Sequence, residues 1–286
     1  MIVQVETSTD CNRSCWYCPN AHFPRRPSKV MSAELFEAVL DEVSQAFTKR
    51  QLHTVSLAAY NEPTLDPLFE ERLLCLTRKG FDYYFITNGT GVTEALVDFL
   101  LRERVRMSSF HINLPAIDPE EYARTTGGRP EDVPALRRGL AYLFRHRADF
   151  GVKMSLVVHG DGGEAHRRNF ERMMEFWREE RIQVLFMPVM NRAGLLEEVI
   201  PPPIDHGTDR VWCKARHIES LYVSVEADLY LCCHDYHQQS VYGSLKRSSL
   251  RDLLRSEARA QAIREFKAQF CRRCSFAVKL GEVLQP

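Results

Sequence analysis

The chain has 286 residues, and Lys plus Arg equals Asp plus Glu at 38 each, for a formal net charge of zero. That balance gives no whole-molecule field toward nucleic acid or an anionic membrane, so neither is expected as a partner. No apolar run reaches the ~20 residues of a bilayer span, and MIVQVETSTD has neither the basic nor the apolar region of an export signal, so the expected setting is cytoplasmic.

Periodicity gives a repeated strand–helix pattern. IVQVET (2–7) reads as a strand, and SAELFEAVLDEVSQAF (32–47) as a helix with Leu35, Phe36, Val39, Leu40, Val43 and Phe47 on one face. HTVSLAA (53–59) is a strand. Asp66 and Pro67 are expected to open the next helix, with Pro at its first position, and Gly80 to close it. DYYFITNG (82–89) is a strand, TEALVDFLLRE (93–103) a helix and RMSSFHINL (106–114) a strand; a helical stretch follows near 131–147. VKMSLVVHG (152–160) is a strand, HRRNFERMMEFWREE (166–180) a helix and QVLFMPV (183–189) a strand.

Six strands alternating with helices over about 190 residues argue for an α/β fold of parallel strands and crossover helices, closing toward a barrel or lying in an open sheet. In either arrangement chemistry gathers at the C-terminal strand ends. Polar residues recur there: Asn61 and Glu62, Thr87 and Asn88, His111 and Asn113, His159, Asn191 and Arg192. After Gly194 the pattern changes. PPP (201–203) marks an irregular connection, LYVSVEADLYLCC (221–233) reads as a β-hairpin turning near Glu226–Asp228, and residues 250–270 read as a helix ending at CRRC (271–274).

Nine cysteines in a reducing setting favour metal ligation over disulfides. Cys75, alone in FEERLLCLTRKG, reads as a buried apolar residue. Cys11, Cys15 and Cys18 lie together in CNRSCWYC (11–18), just past the first strand. A structural zinc site takes four ligands, and His22, beyond Pro19, would have to be the fourth. The alternative is a 4Fe–4S cluster on three thiolates, which leaves one iron open.

C-x3-C-x-aromatic-C, with Tyr17 as the aromatic, resembles the signature of the radical S-adenosylmethionine (SAM) enzymes. The resemblance covers residues 2–194 and implies a partial (β/α)6 barrel, SAM on the open iron, and a 5′-deoxyadenosyl radical that takes hydrogen from an unactivated carbon. Tyr60-Asn61-Glu62-Pro63 keeps the Glu-Pro of the family's Gly-Gly-Glu-Pro loop and lacks its glycines. Cofactor contacts are implied for Asn61, for Glu62 as acceptor of the methionine ammonium, and for the amides Asn88 and Asn113, with Tyr17 and His159 beside them. A reducing partner such as flavodoxin or ferredoxin is implied too.

The tail holds Cys213, Cys232, Cys233, Cys271 and Cys274. Four-cysteine sites ending in C-x2-C are often zinc ribbons, although those usually carry two such knuckles. The arrangement also resembles the twitch domain, a short SPASM domain. That resemblance implies an auxiliary 4Fe–4S cluster on Cys213, Cys232, Cys271 and Cys274, with the chain dividing into 1–194 and 195–286. The glycine usual five residues before the second of these cysteines is Ala227. Neighbours in an extended strand point to opposite faces. With Cys232 on the cluster, Cys233 is therefore expected to face away, toward the barrel mouth, as a small buried residue or as a hydrogen-atom donor.

Within the family, the chain plan resembles members that invert a sugar carbon with a cysteine donor and members that dehydrogenate a cyclitol alcohol. The leftover thiol favours epimerisation of an amino sugar, aminoglycoside or cyclitol. Cys233 would be catalytic, and His111, Arg192, His234 and Asp235 would contact the substrate. Peptide modification is a further reading, although such enzymes often carry a peptide-binding segment ahead of the first motif and only ten residues precede Cys11. An iron–sulfur carrier or zinc-binding module would have no use for an open iron.

Overall fold

The computed structural model describes residues 1–24, 27–48, 50–52, 54–105, 107–201 and 211–279. The expected strand starts at His53 and Arg106, and the connection at 202–203, lie outside these. Six strands run in parallel in chain order: β1 (Ile2–Val5), β2 (Thr54–Ser56), β3 (Tyr83–Thr87), β4 (Met107–Asn113), β5 (Lys153–Gly160) and β6 (Gln183–Pro188). The later strands are β7 (Val211–Cys213), β8 (Leu221–Val223), β9 (Asp228–Tyr230), β10 (Gly243–Ser244) and β11 (Ala277–Lys279). The main sheet runs β10-β9-β8-β1-β2-β3-β4-β5-β6, and β7 pairs with β11 in a separate two-stranded sheet.

Helices Ala33–Ala46, Phe69–Lys79, Glu94–Arg102, Val133–Arg145 and Glu164–Phe176 connect the parallel strands. The Ser32 and Thr93 hydroxyls cap two of them by accepting from the Leu35 and Leu96 amides, each worth about 1 kcal/mol. Gly80 closes another in the left-handed conformation, at φ 72°. The helices cover one face of the sheet. Val3, Val55, Phe85, Phe110, Ile112, Leu156 and Val158 are fully buried there against Phe36, Leu40, Leu73, Leu76, Val97 and Leu140.

Alternation then fixes the other face, because side chains along a strand point to opposite sides. Register places Tyr230, Tyr222, Gln4, Ser56, Tyr84 and Ser109 in one row across six strands. The next row carries His111, Ser155 and Gln183. The inner face of the partial barrel is therefore polar, while the outer face is the hydrophobic core.

Several elements differ from expectation. Pro67 precedes its helix, which starts at Phe69. Asp66 is the reason: its carboxylate accepts from the Leu68 amide and is taken up by Arg72. Helix Pro119–Thr126, capped by Asp118, was not anticipated ahead of the 131–147 stretch. The stretch 250–270 is two helices, Leu250–Arg255 and Glu257–Gln269, parted at Ser256, whose hydroxyl accepts from the Arg259 amide and starts the second. The hairpin is shorter than expected. Its strands end at Val223 and Tyr230, so Cys232 and Cys233 lie in the turn beyond it. The hairpin also joins the barrel, since β8 pairs in parallel with β1. At its turn, Ala227 takes the left-handed conformation at φ 60°, where glycine is usual, at about 1–2 kcal/mol.

A buried ion pair ties this scaffold together. Arg72 Nε donates to Asp66 Oδ2 at 2.7 Å, Arg72 Nη2 donates to the Met31 carbonyl at 2.5 Å, and both side chains are 1% exposed or less. Removing one partner leaves a charge buried alone. Asp66→Ala is expected to lower unfolding stability by about 3–5 kcal/mol in a denaturant titration; a loss below about 1 kcal/mol would show that the pair contributes little.

Candidate metal centres and the space between them

The loop carrying Cys11, Cys15 and Cys18 leaves β1 and is held by helix Pro119–Thr126. Ser14 N donates to the Thr126 carbonyl at 2.8 Å and Trp16 N to the Thr125 carbonyl at 3.2 Å. Arg13 Nε donates to Tyr122 Oη at 2.6 Å, and its guanidinium pairs with Asp132 at 3.2 Å. Gly127, at φ 63°, makes this approach feasible, because a Cβ there would sit 2.1 Å from Ser14 Oγ. Cys18 N donates to the Cys15 carbonyl at 2.8 Å, which curls the last two cysteines into one turn. The three sulfurs act on one another electrostatically. Burial raises the Cys11 thiol to about 11, with Glu62 and Cys18 adding to the rise, and burial and Cys18 raise Cys15 to about 12.

The second group gathers from three parts of the chain. Cys213 ends β7, Cys232 follows β9, and Cys271 and Cys274 follow the last helix. All four line one small apolar cavity with Ala193, His217 and Phe276. Burial raises Cys271 to about 12 and Cys274 to about 11. Without added positive charge both groups favour neutral thiols. A cluster's irons reverse that preference, and among the described residues no acidic group lines the second cavity. The donor sets fit iron–sulfur clusters, three thiolates in the first group and four in the second.

The remaining expected residues fall on the ends and inner face of the barrel. Glu62 is 2% exposed. Its Oε1 accepts from Thr64 Oγ1 at 2.7 Å and Thr87 Oγ1 at 2.6 Å, and its Oε2 from the Asn88 amide at 2.6 Å. Burial raises its carboxyl pKa against these donors. Asn88 Nδ2 donates to Asn12 Oδ1 at 2.8 Å and lies 4.0 Å from Cys11 Sγ. Asn61 Oδ1 accepts from the Ala59 amide of its own loop. Asn113 ends β4. Tyr17 and His159 meet ring to ring at 4.8 Å, and burial, followed by Arg192, lowers His159 to about 4.

His111 stands deeper, in mid-strand, with Nε2 2.9 Å from Ser109 Oγ and Nδ1 2.7 Å from Ser155 Oγ. Arg192, His234 and Asp235 line one cleft. Asp235, however, spends its carboxylate on its own loop, accepting from the Gln239 amide, the Ser240 amide and Ser240 Oγ at 2.6–3.0 Å. His234 Nδ1 is 3.7 Å from Cys274 Sγ, and burial lowers its pKa to about 3.

Cys233 differs from the strand-based expectation in one respect. Because it lies in a turn, its sulfur shares a hydrogen bond with Cys232 instead of pointing to the opposite face. It nevertheless borders the interior. It lies 3.6 Å from His217 Nδ1 and within electrostatic reach of Tyr60, Tyr84 and Arg192. The Cys232 bond lowers the Cys233 pKa against the opposing effect of burial. Sequence reading did not single out four neighbours of this space. Tyr60 and Tyr84 line it, Tyr222 Oη lies 3.2 Å from His217 Nδ1, and the fourth is His217. The alternation of β3 and β8 could have shown Tyr84 and Tyr222; nothing local marks His217. Asn191 locks the two halves, with Oδ1 accepting from Ser275 N and Oγ and Nδ2 donating to the Arg273 carbonyl at 2.5 Å.

Comparison with known proteins agrees with this geometry. The Radical SAM superfamily profile matches residues 5–174, and the SPASM profile, an iron-sulfur cluster-binding domain, matches residues 213–275. A S-adenosyl-L-methionine-dependent 2-deoxy-scyllo-inosamine dehydrogenase of Niallia circulans is 27% identical over 117 residues, covering 32% of this chain and 45% of that protein. A S-adenosyl-L-methionine-dependent tRNA 4-demethylwyosine synthase of Methanocaldococcus jannaschii is 30% identical over 98 residues, covering 34% of this chain and 29% of that protein. The chain thus spans less than half the length of these two relatives. Among solved structures, BtrN in complex with AdoMet and 2-DOIA superposes over 98% of this chain and 93% of its own, with TM-score 0.56 and 17% identity. Streptococcus suis SuiB bound to S-adenosylmethionine covers 95% and 72%, with TM-score 0.66 and 14% identity. These two likenesses speak to the fold.

Anaerobic reconstitution is expected to load about eight irons and eight sulfides per chain, the content of two 4Fe–4S clusters. Cys15→Ala and Cys271→Ala should each lose about half; one mole of zinc and no iron in the wild type would contradict the assignment. With its three-cysteine loop at the end of β1 and its four-cysteine cavity behind β9, the chain belongs to the radical SAM superfamily and carries a SPASM-type iron-sulfur domain.

Proposed function

We propose that the chain inverts one carbon of a hydroxylated ring, a cyclitol or amino sugar, with Cys233 as the hydrogen donor. Cys11, Cys15 and Cys18 would hold the SAM-binding cluster, and Cys213, Cys232, Cys271 and Cys274 the auxiliary one. When bound, SAM and its cluster supply a 5′-deoxyadenosyl radical that removes a hydrogen atom from the substrate carbon. Glu62 Oε2 has one donor and room for another, so it would take the methionine ammonium. Asn61, Asn88 and Asn113 offer amides on the same rim, and the tilted ring pair of Tyr17 and His159 offers an aromatic contact.

The observation that carries the reading is the position of Cys233. Its sulfur borders a polar interior with Tyr60, Tyr84 and Arg192, beside the second thiol group. Once Cys232 is committed to iron as a thiolate it has no proton to give, and Cys233 is left as the thiol of the pair. Cys233 would then give a hydrogen atom to the face of the carbon opposite the one that lost it. One electron from a flavodoxin- or ferredoxin-type donor and one proton from water return Cys233 to a thiol. Arg192, His111 and His234 would orient the ring, while Asp235 braces the wall.

A second reading is oxidation of a secondary alcohol. It is supported by the similarity to 2-deoxy-scyllo-inosamine dehydrogenase. Incubation of candidate rings with SAM and a reductant in heavy water separates the two. Inversion replaces one hydrogen by deuterium and gives a product one mass unit heavier, and oxidation gives a loss of two hydrogens. In Cys233→Ala the ratio of deuterated product to released 5′-deoxyadenosine is expected to fall by at least about tenfold; an unchanged ratio removes Cys233 from the chemistry. Glu62→Gln is expected to weaken SAM binding by about ten- to a hundredfold, the value of a charge-assisted hydrogen bond. Unaltered binding would assign Glu62 to bracing Thr64, Thr87 and Asn88 alone.

A further inference from the structure

Two of the arginines packed into this chain are matched with carboxylates. Arg13 pairs with Asp132 and Arg72 with Asp66. Arg192 is different. Its Nε is buried with no hydrogen-bond partner, and among the described residues no carboxylate pairs with it. Its guanidinium rests 5.5 Å from the centre of the Tyr60 ring, and the residue lines the cleft that opens between the loop after β6, the turn after β9 and the end of the last helix. The cleft encloses about 220 Å³, the scale of a single small ring.

The two acidic groups near this cleft are already engaged. Asp235 is bonded by its own loop, and Glu197 is paired with Arg273. The backbone that presents Arg192 is strained. Arg192 at φ 51°, Ala193 at φ 57° and Gly194 at φ 93° are consecutive left-handed residues, of which the first two cost about 1–2 kcal/mol each. Asn191 anchors the start of this run to Ser275 and Arg273. A strained loop thus holds an arginine with no carboxylate partner at the edge of a cleft, and a buried guanidinium donor left unpaired is costly until an acceptor meets it.

We infer that this cleft binds an anionic group of the substrate, a carboxylate or a phosphate ester, on Arg192. The inference rests on the reading of the site as one that processes a polar ring, and it narrows that substrate class. A guanidinium presents paired N–H donors suited to two oxygens of one anion. It repels an ammonium, so any amino group on the ring lies away from this wall.

The test uses the reconstituted holoenzyme with saturating SAM and no reductant, and measures ring binding by calorimetry. The probes are two matched pairs: myo-inositol 1-phosphate against myo-inositol, and glucuronate against glucose, with glucosamine as a cationic control. In the wild type the anionic member of at least one pair is expected to bind at least about tenfold more tightly, the scale of one charge-assisted contact. The phosphate and carboxylate pairs tell the two anion types apart. Arg192→Gln should abolish that preference, and Arg192→Lys, which keeps the charge and loses the fork, should retain part of it. Equal binding of neutral and anionic rings overturns the inference, as does a preference that survives in Arg192→Gln. If Arg192→Gln weakens SAM itself while the ring preference persists, the guanidinium serves the carboxylate of SAM and the inference is wrong. Tighter binding of glucosamine than of either anion overturns the inference and leaves the ring-processing reading standing; binding of no ring at all overturns both.

Discussion

Buried thiols resist ionisation, and everything in this molecule depends on how that resistance is overcome. Cys11, Cys15, Cys271 and Cys274 all sit well above the usual thiol range because burial removes water from the charged form and neighbouring sulfurs repel it. A structure that only needed small apolar residues would not group them from distant parts of the chain. Cys213 and Cys274 are brought together by the pairing of β7 with β11, and Cys232 reaches the same cavity from the turn after β9. Iron supplies the positive charge that makes such thiolates stable.

The partial barrel sets where those two centres stand. Helices claim the outer face of every parallel strand, so alternation assigns Gln4, Ser56, Tyr84, Ser109, His111 and Ser155 to the interior. The extra strand β8 continues this row past β1 with Tyr222 and carries the chain on to Cys232 and Cys233. Arg192 is the joint between the centres, since it feels both Cys18 of the first group and Cys233 beside the second. Asn191 holds that joint in place by bonding the loop of Cys274. The reacting space is thus shaped by segments from both ends of the sequence.

Much of this was legible in the residues. The six parallel strands follow from hydrophobic period, and the grouping of thiols follows from spacing, because both are local signals. What escaped was set by side-chain contacts and strand pairings that hydrophobic period does not encode. Asp66 looked like a helix start beside Pro67, yet its carboxylate is held by Arg72 across a buried pair. The hairpin looked like part of an appendage, yet β8 adds to the barrel, a pairing between residues over two hundred positions apart that no window reveals. The strand rule sent Cys233 to the face opposite Cys232; the backbone turns after Tyr230, and the two sulfurs meet instead. His217 carries no periodic or motif signal of its own; Tyr222, five residues on, and Cys233 meet it through the turn and hairpin that follow.

The central claim is that the three-cysteine loop leaves one iron open to SAM. Electron paramagnetic resonance of the anaerobically reduced, reconstituted protein tests it most directly, recorded with and without SAM in a variant whose second cavity is emptied by Cys271→Ala and Cys274→Ala. The account predicts a cubane signal whose g values shift when SAM is added, because a new ligand has reached the cluster. A cubane signal that SAM leaves unmoved, or no cubane signal at all, would contradict it.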